Sequence, residues 1–404
     1  MWRLCKSLED ELKIEVLTTK SLRKSIFRIR RIDSTLLSKI QRIKIHRMRI
    51  FRLDFLYKII SWLKINPRFI IPEYSFGWLM PSIKKGRKIL KNSRFDYILG
   101  VYPNLTSMLS SYILSKITKT PLIIDLHDLF YDCYEKDLPA PKYKKFYLNL
   151  ERKILSHASM ISVITQQVKK LLIIKHQLTP ENIVVIPNNV DLNEFKSIKI
   201  NQKQEFVISY VGNLTDYHLE GILLLINAIN KLKKENSEFN LKFQIVGPLI
   251  DKIKKKISEI DEYNLIKTFG FVNKSKSNSI TMNSDILYLT LSPTHKYALE
   301  MRSTIPSKLF EYISCGKPIL AYLPKGSAQK LITENNLGFV LTEYDIDKLA
   351  NLILELYNNS SLYDKFSKNS LELAKKYDAK IIYNLFFKKI LSLKSFHKGS
   401  LSDN

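Results

Sequence analysis

Short apolar runs rich in branched residues alternate with longer stretches of helical periodicity along most of this chain. In the second half the runs are FVISYV (Phe206 to Val211), LKFQIVGPL, IKTFGFV, DILYLTLSP, KPILAYL and LGFVL, followed by the helix IDKLANLILELY and a final helical pair ending near Lys394. Such alternation predicts a parallel sheet wound with helices. The first half repeats the pattern: a strand over Ile14 to Thr18, a helix entered at Trp78 and Leu79, a strand over Phe95 to Val101, and Pro103 with Asn104 opening the helix TSMLSSYILSKITKT. PLIIDLHDLF is then a strand with a polar carboxyl end, Met160 to Ile164 another strand between two helices, and IVVIPNNVDLNEF closes the half. The predicted class is α/β with two doubly wound, Rossmann-like domains, residues 1–195 and 196–375, joined by the polar segment KSIKINQKQ. Residues 376–404 form a last helix and a tail, SFHKGSLSDN, expected to be disordered. No strand or glycine-rich turn precedes the opening segment RLCKSLEDELK, so the first βα unit of a doubly wound domain is expected to be missing.

The chemistry concentrates in RSTIPSKLFEYISCG, Arg302 to Gly316. Pro306 suits the first turn of a helix, Leu309, Phe310 and Ile313 form its apolar face, and Gly316 stops it. The backbone amides at that helix start, with Arg302, Ser303, Thr304, Ser307 and Lys308 around them, suit a phosphate or diphosphate. Glu311, one turn on, is placed to accept hydrogen bonds from sugar hydroxyls. The spacing of Lys308 and Glu311 equally fits an ordinary surface ion pair.

Composition narrows the partners. The 404 residues carry 65 basic against 38 acidic side chains, a formal charge of +27, which calls for a polyanionic partner or surface or else records a lysine-rich proteome. Residues 20–64 are densely basic, with only Asp33 and Asp54 against the lysines and arginines. From Met48 the positions Met48, Phe51, Phe55, Ile59 and Trp62 fall at helical spacing between Arg47, Arg49, Arg52 and Lys58, the pattern of an amphipathic helix on an anionic membrane surface or of a stripe packed on the protein with its charges as a solvated face. No run reaches the roughly 20 apolar residues needed to span a bilayer, and no signal peptide is evident, so the expected place is the cytoplasm, peripheral to the inner membrane face. Cys5, Cys133 and Cys315 have no metal-like spacing and read as reduced thiols. Nucleic acid would also answer the charge, yet no recognition motif for it is present.

His127, at the polar end of PLIIDLHDLF, is the candidate catalytic group of the first half. A neutral imidazole there accepts or donates a proton at physiological pH, and Asp125 and Asp128 are placed to orient it. The same three residues also fit a polar loop that caps the next helix. Gly212, after FVISYV, with Asn213 beside it, is the corresponding strand-end turn of the second half, and it also fits a plain strand-to-loop glycine.

PSKLFEYISCGKPILAYLPKGSAQKLITENNLGFVL resembles the donor-binding half of family 4 glycosyltransferases of the GT-B fold. The segment running through IIDLHDLFYD is similar to the amino-terminal half of the same family, notably members that build cell-surface polysaccharides. The resemblance implies two domains facing a cleft, a nucleotide-sugar donor in the C-terminal half and a glycan or lipid-linked acceptor in the N-terminal half. It further implies transfer of a hexose-type sugar with retention, no divalent ion or other cofactor, and Glu311 on the nucleotide ribose. Members often carry a second glutamate at the place of Ser303, an arginine at Asn213 and a lysine a few residues on. Without those cations, Lys308, Arg302 and the helix amides must neutralise the donor diphosphate. Gly is common at the place of Asn189, where Asn is expected to keep a left-handed turn. A truncated, inactive relative is the alternative.

Overall fold

A computed structural model describes residues 2–19, 42–51, 53–63, 73, 75–129, 132, 141–196, 198 and 205–399. The chain divides into two units, Met1–Pro187 with Tyr383–Asn404, and Asn188–Ile382. Each is built on a parallel sheet with helices between strands.

The second unit holds strands β7 (Phe206–Val211), β8 (Leu241–Val246), β9 (Ile266–Gly270), β10 (Ile286–Thr290), β11 (Ile319–Tyr322) and β12 (Gly338–Leu341). Their order is β12-β11-β10-β7-β8-β9, all parallel. This is the doubly wound arrangement, in which the order reverses between the first and fourth strands, here β7 and β10. Alternation along the strands explains why both faces are covered. Ile208, Tyr210, Ile286, Tyr288, Leu320 and Tyr322 enter one core, beneath helices Asp216–Glu235 and Ile346–Asn358. Their neighbours Val211, Leu287, Leu289, Ile319 and Ala321 enter another with helix Ser307–Ser314. Both ends of the unit meet, since the Val190 amide donates to the Tyr377 carbonyl at 3.1 Å and the Ala379 amide donates to the Val190 carbonyl at 2.8 Å.

The first unit carries β3 (Ile98–Tyr102), β4 (Leu122–Leu126), β5 (Met160–Val163) and β6 (Ile183–Val185) in that spatial order, all parallel. Asn104 caps helix Leu105–Thr118, its side chain accepting from the Ser107 amide at 2.9 Å. Helices Pro141–His157 and Gln166–His176 are joined by a buried contact, His176 Nε2 to Glu151 Oε2 at 2.7 Å, with both side chains at most 1% exposed. The final helix, Ala379–Gly399, starts in the second unit and continues into the first.

Ahead of β3 lie a helix, Trp2–Leu8, and a separate parallel pair, β1 (Glu15–Thr19) with β2 (Lys44–Met48). The helical spacing read from Met48 onward is therefore corrected. Residues Lys44–Met48 are claimed by pairing with β1, reinforced by His46 Nε2 at 2.7 Å from Glu15 Oε2, and the helix begins at Asp54 and runs to Trp62. The hydrogen bond from His46 holds the Glu15 carboxyl below its usual range. Residues 20–41, Arg52 and residue 64 of the basic stretch lie outside the described residues, as does Cys133; Cys5 and Cys315 are buried free thiols. Asn189 is not among the left-handed residues, so its turn uses ordinary backbone. No helix among the described residues is long and apolar enough to cross a membrane.

Candidate functional site

In open α/β sheets ligands bind beyond the carboxyl ends of the strands, where the order reverses. In the second unit that place is the end of β7. Gly212 follows β7 at φ 147° and Gly247 follows β8 at φ 138°, a region in which side-chain-bearing residues are strained. The two turns touch: a Cβ on Gly247 would lie 2.0 Å from the Gly212 carbonyl oxygen, and one on Gly212 would lie 2.7 Å from Lys308 Nζ. Glycine is what lets backbone and ammonium approach here.

Lys308 stands in the first turn of helix Ser307–Ser314, whose N-cap is Pro306 and whose start has no side-chain cap. The first amides of a helix have no partner within it, so this end presents donors and partial positive charge. Lys308 Nζ donates to the Tyr210 hydroxyl and lies 4.1 Å from the Tyr210 ring centroid. The Tyr210 hydroxyl in turn donates to the Asn213 carbonyl at 3.2 Å, while Asn213 itself is exposed. Burial pushes the Lys308 amine down to about 7, against the opposing pull of Glu311. A cation is thus kept at the strand-switch point in an environment that disfavours its charge.

Glu311 does not pair with Lys308. Its Oε1 lies 2.5 Å from the ammonium of Lys274, the first residue of helix Lys274–Met282, with both side chains about one-fifth exposed (23% and 21%). The ordinary Lys308–Glu311 surface pair that the spacing allowed is replaced by a contact from another element. Thr304 donates to the Met301 carbonyl at 3.4 Å. Ser303 is buried, its hydroxyl donating to the Glu300 carbonyl at 2.8 Å, so it closes a turn. Arg302 is exposed, and its carbonyl accepts from the Ser327 amide at 2.7 Å. The Ile305 carbonyl accepts from Asn188 Nδ2 at 3.1 Å, fixing the approach to Pro306, and Ser307 is exposed.

The segment after Asn213, which lacks a basic residue, is held by a histidine. His218 is 2% exposed; its Nδ1 accepts from the Thr215 amide at 3.1 Å. Burial, with Lys308 nearby, pushes its pKa down to about 2, so the ring is neutral and caps helix Asp216–Glu235. The loop beyond β10 is tied to the same helix start, the Ser292 amide donating to the Tyr217 carbonyl at 2.8 Å and Thr294 Oγ1 to Glu220 at 2.8 Å. Tyr210, Lys274, His218 and Gly247 were not singled out by sequence reasoning. Tyr210 occupies an apolar strand position like any core residue, and Lys274 stands in an unrelated loop-to-helix junction.

In the first unit, β4 ends in a second constellation. Asp125 is buried; its Oδ1 accepts from Ser162 Oγ at 2.6 Å and its Oδ2 lies 3.0 Å from His127 Nε2. Burial raises its pKa, yet the hydrogen bonds from His127 and Ser162 win and hold the carboxyl below the usual range. His127 is oriented by Asp125 and its side chain is 36% exposed. Burial raises Asp128 to about 6, with the His127 charge acting through space in the other direction. Among the described residues no group of three or more His, Cys, Asp and Glu side chains is placed to hold a metal ion.

Two family models match in succession: Glycosyltransferase Family 4 over residues 46–194 and Glycosyl transferases group 1 over residues 191–373. The chain is similar to a poly(glycerol-phosphate) alpha-glucosyltransferase of Bacillus subtilis (strain 168), 26% identical over 39% of this chain and 22% of the relative. It is also similar to a poly(ribitol-phosphate) alpha-N-acetylglucosaminyltransferase of Staphylococcus aureus (strain COL), 23% identical over 57% of this chain and 44% of the relative. The chain thus spans less than half the length of these curated relatives. Solved structures are similar in fold. Anabaena HepE in complex with UDP and glucose has a TM-score of 0.66 at 15% identity, covering 97% of this chain and 94% of that one. Sucrose-phosphate synthase from Thermosynechococcus elongatus has a TM-score of 0.69 at 14% identity, covering 97% and 92%.

Proposed function

We propose, because the chain belongs to the family 4 type of GT-B glycosyltransferases, that it transfers a hexose-type sugar from a nucleotide diphosphate to a hydroxyl of a glycan or lipid-linked acceptor. The observation that carries this reading is the meeting of Gly212, Gly247 and Lys308 at the point where strand order reverses. A diphosphate laid there gains the Lys308 ammonium and the uncapped amides of helix Ser307–Ser314. Both stabilise the negative charge that grows on the leaving group as the glycosidic bond breaks. The phosphate restores to Lys308 the proton that burial weakens, so the ammonium interacts more strongly with the bound donor than with the empty site. Glu311 exchanges its contact with Lys274 for the ribose hydroxyls.

In this reading His127, held by Asp125, serves the acceptor hydroxyl or the transferred sugar from the first unit. Retention at the anomeric carbon follows if the departing diphosphate itself receives the acceptor proton, and no paired carboxylates are then required. No divalent ion is needed where Lys308 and the helix dipole neutralise the diphosphate. The complexes of Anabaena HepE contain UDP with glucose or UDP-glucose, which makes UDP-sugars the first donors to test.

A thermal-shift screen against UDP-, GDP-, ADP- and dTDP-sugars tests the proposal. A donor present at 100 times its Kd stabilises by about 2.7 kcal/mol, a rise of roughly 5–10 °C in Tm for domains of this size. The Glu311→Ala variant is expected to lose that rise. The reading fails if no nucleotide sugar shifts the wild type, or if the variant responds as the wild type does.

A further inference from the structure

Residues Phe51, Phe55, Leu56, Ile59, Trp62 and Leu63 are exposed by 65%, 74%, 49%, 38%, 81% and 53%, the densest cluster of exposed large apolar side chains among the described residues. Helix Asp54–Trp62 explains the geometry. At 100° per residue Phe55, Ile59 and Trp62 fall within about 60° of one another, and Leu56 and Leu63 widen the arc to about 120°. Ile60, on another side of the helix, is 6% exposed and supplies its anchorage in the fold. The helix is therefore apolar both where it packs and where it meets solvent. Leaving a ridge of this kind in water is unfavourable for a free-standing surface.

The charges beside it identify what covers it. Lys58 borders the arc, and Arg47 and Arg49 are exposed just ahead of the helix. A ridge flanked mainly by positive charge, with Asp54 the one acidic residue of the helix, repels a second copy of itself and attracts an anionic sheet. Trp62, the most exposed of the six, brings an indole, which favours the headgroup level of a bilayer. We propose that helix Asp54–Trp62 lies in the plane of an anionic lipid bilayer, with Phe55, Ile59 and Trp62 seated at the boundary between headgroups and acyl chains. This contact is independent of the donor site, which lies in the other unit.

The test uses the full chain with vesicles of phosphatidylcholine alone or mixed with phosphatidylglycerol, at low and physiological salt. The wild type is expected to sediment with the mixed vesicles, more weakly as salt rises. Acyl-chain bromines should quench its fluorescence, and Trp62→Phe should remove that quenching. Combined Phe55→Ser, Ile59→Ser and Trp62→Ser changes touch only exposed side chains and should weaken vesicle partition by about tenfold or more. The triple variant should keep the wild-type Tm and its rise with donor, so a failure here is separable from a failure of the donor site. Several outcomes overturn the proposal: no binding to anionic vesicles, binding unchanged in the triple variant, or binding without bromine quenching. A wild-type dimer that the triple variant converts to monomer, with vesicle binding unaltered, would assign the ridge to self-association instead.

Discussion

Replacing Lys308 by methionine should weaken donor binding while leaving the fold as stable or more stable. The amine is held at about 7, well below the 10.5 of a free lysine. Between those values the unfolded chain binds a proton that the folded chain has lost. Wild-type stability therefore rises as pH climbs from about 7 toward 10.5, and the penalty is complete below about 7. A depression of that size corresponds to on the order of 4 kcal/mol at neutral pH, and partial exposure of the side chain screens it to roughly half. Methionine removes the penalty but also forfeits the bond to the Tyr210 hydroxyl and the contact with its ring, together worth about 1–1.5 kcal/mol. The balance is a Tm unchanged or raised by a few degrees. Donor affinity moves the other way, because losing a charge-assisted bond to phosphate costs about 1.5–3 kcal/mol, or roughly 10–150-fold in Kd. Differential scanning fluorimetry and titration calorimetry from below pH 7 to above pH 9 read both effects. Wild-type affinity should fall as pH rises past about 7, and the Lys308→Met profile should stay flat. A variant that loses stability while keeping donor affinity and its pH dependence refutes the reasoning, and Lys308 would then be a structural residue.

His127→Ala is expected to reduce turnover by about 100-fold or more with donor affinity near wild type, measured by initial rates alongside calorimetry; equal loss of both would point to a folding role. Glu151→Ala strands the buried His176 without its partner and should cost about 3–5 kcal/mol in urea unfolding. The paired Glu151→Leu, His176→Leu change should recover most of that loss, and a single variant as stable as wild type would show that the 2.7 Å contact contributes nothing.

The sheet and the helix start were legible because each rests on local chemistry. The run FVISYV is β7 to the residue, and Pro306 and Gly316 bracket helix Ser307–Ser314 as their backbone preferences require. What escaped depends on contacts distant in sequence. Glu311 meets Lys274 and Lys308 meets Tyr210 because strand order brings separate βα units together, and no periodicity encodes that order. Ser303 has the polarity of a ligand-binding residue, and the sequence does not show that its hydroxyl donates to the Glu300 carbonyl. The absence of a cation after Gly212 was visible in the sequence. That a neutral, buried His218 holds the segment emerges only with burial known. The stretch around Met48 was misread as helix because Met48, Phe55, Ile59 and Trp62 do share helical spacing, whereas pairing of β2 with β1 is non-local.

The hydrogen bonds joining Val190 to Tyr377 and Ala379 have an evolutionary reach. A polypeptide that enters and leaves one lobe through neighbouring, laced segments makes that lobe an interchangeable cassette. Residues 190–378 begin and end at adjacent points, ahead of helix Ala379–Gly399, so little chain entropy is lost in closing so tight a neck. On the proposed function, donor preference can then change by exchange of this cassette alone, while the other unit diverges on its own schedule.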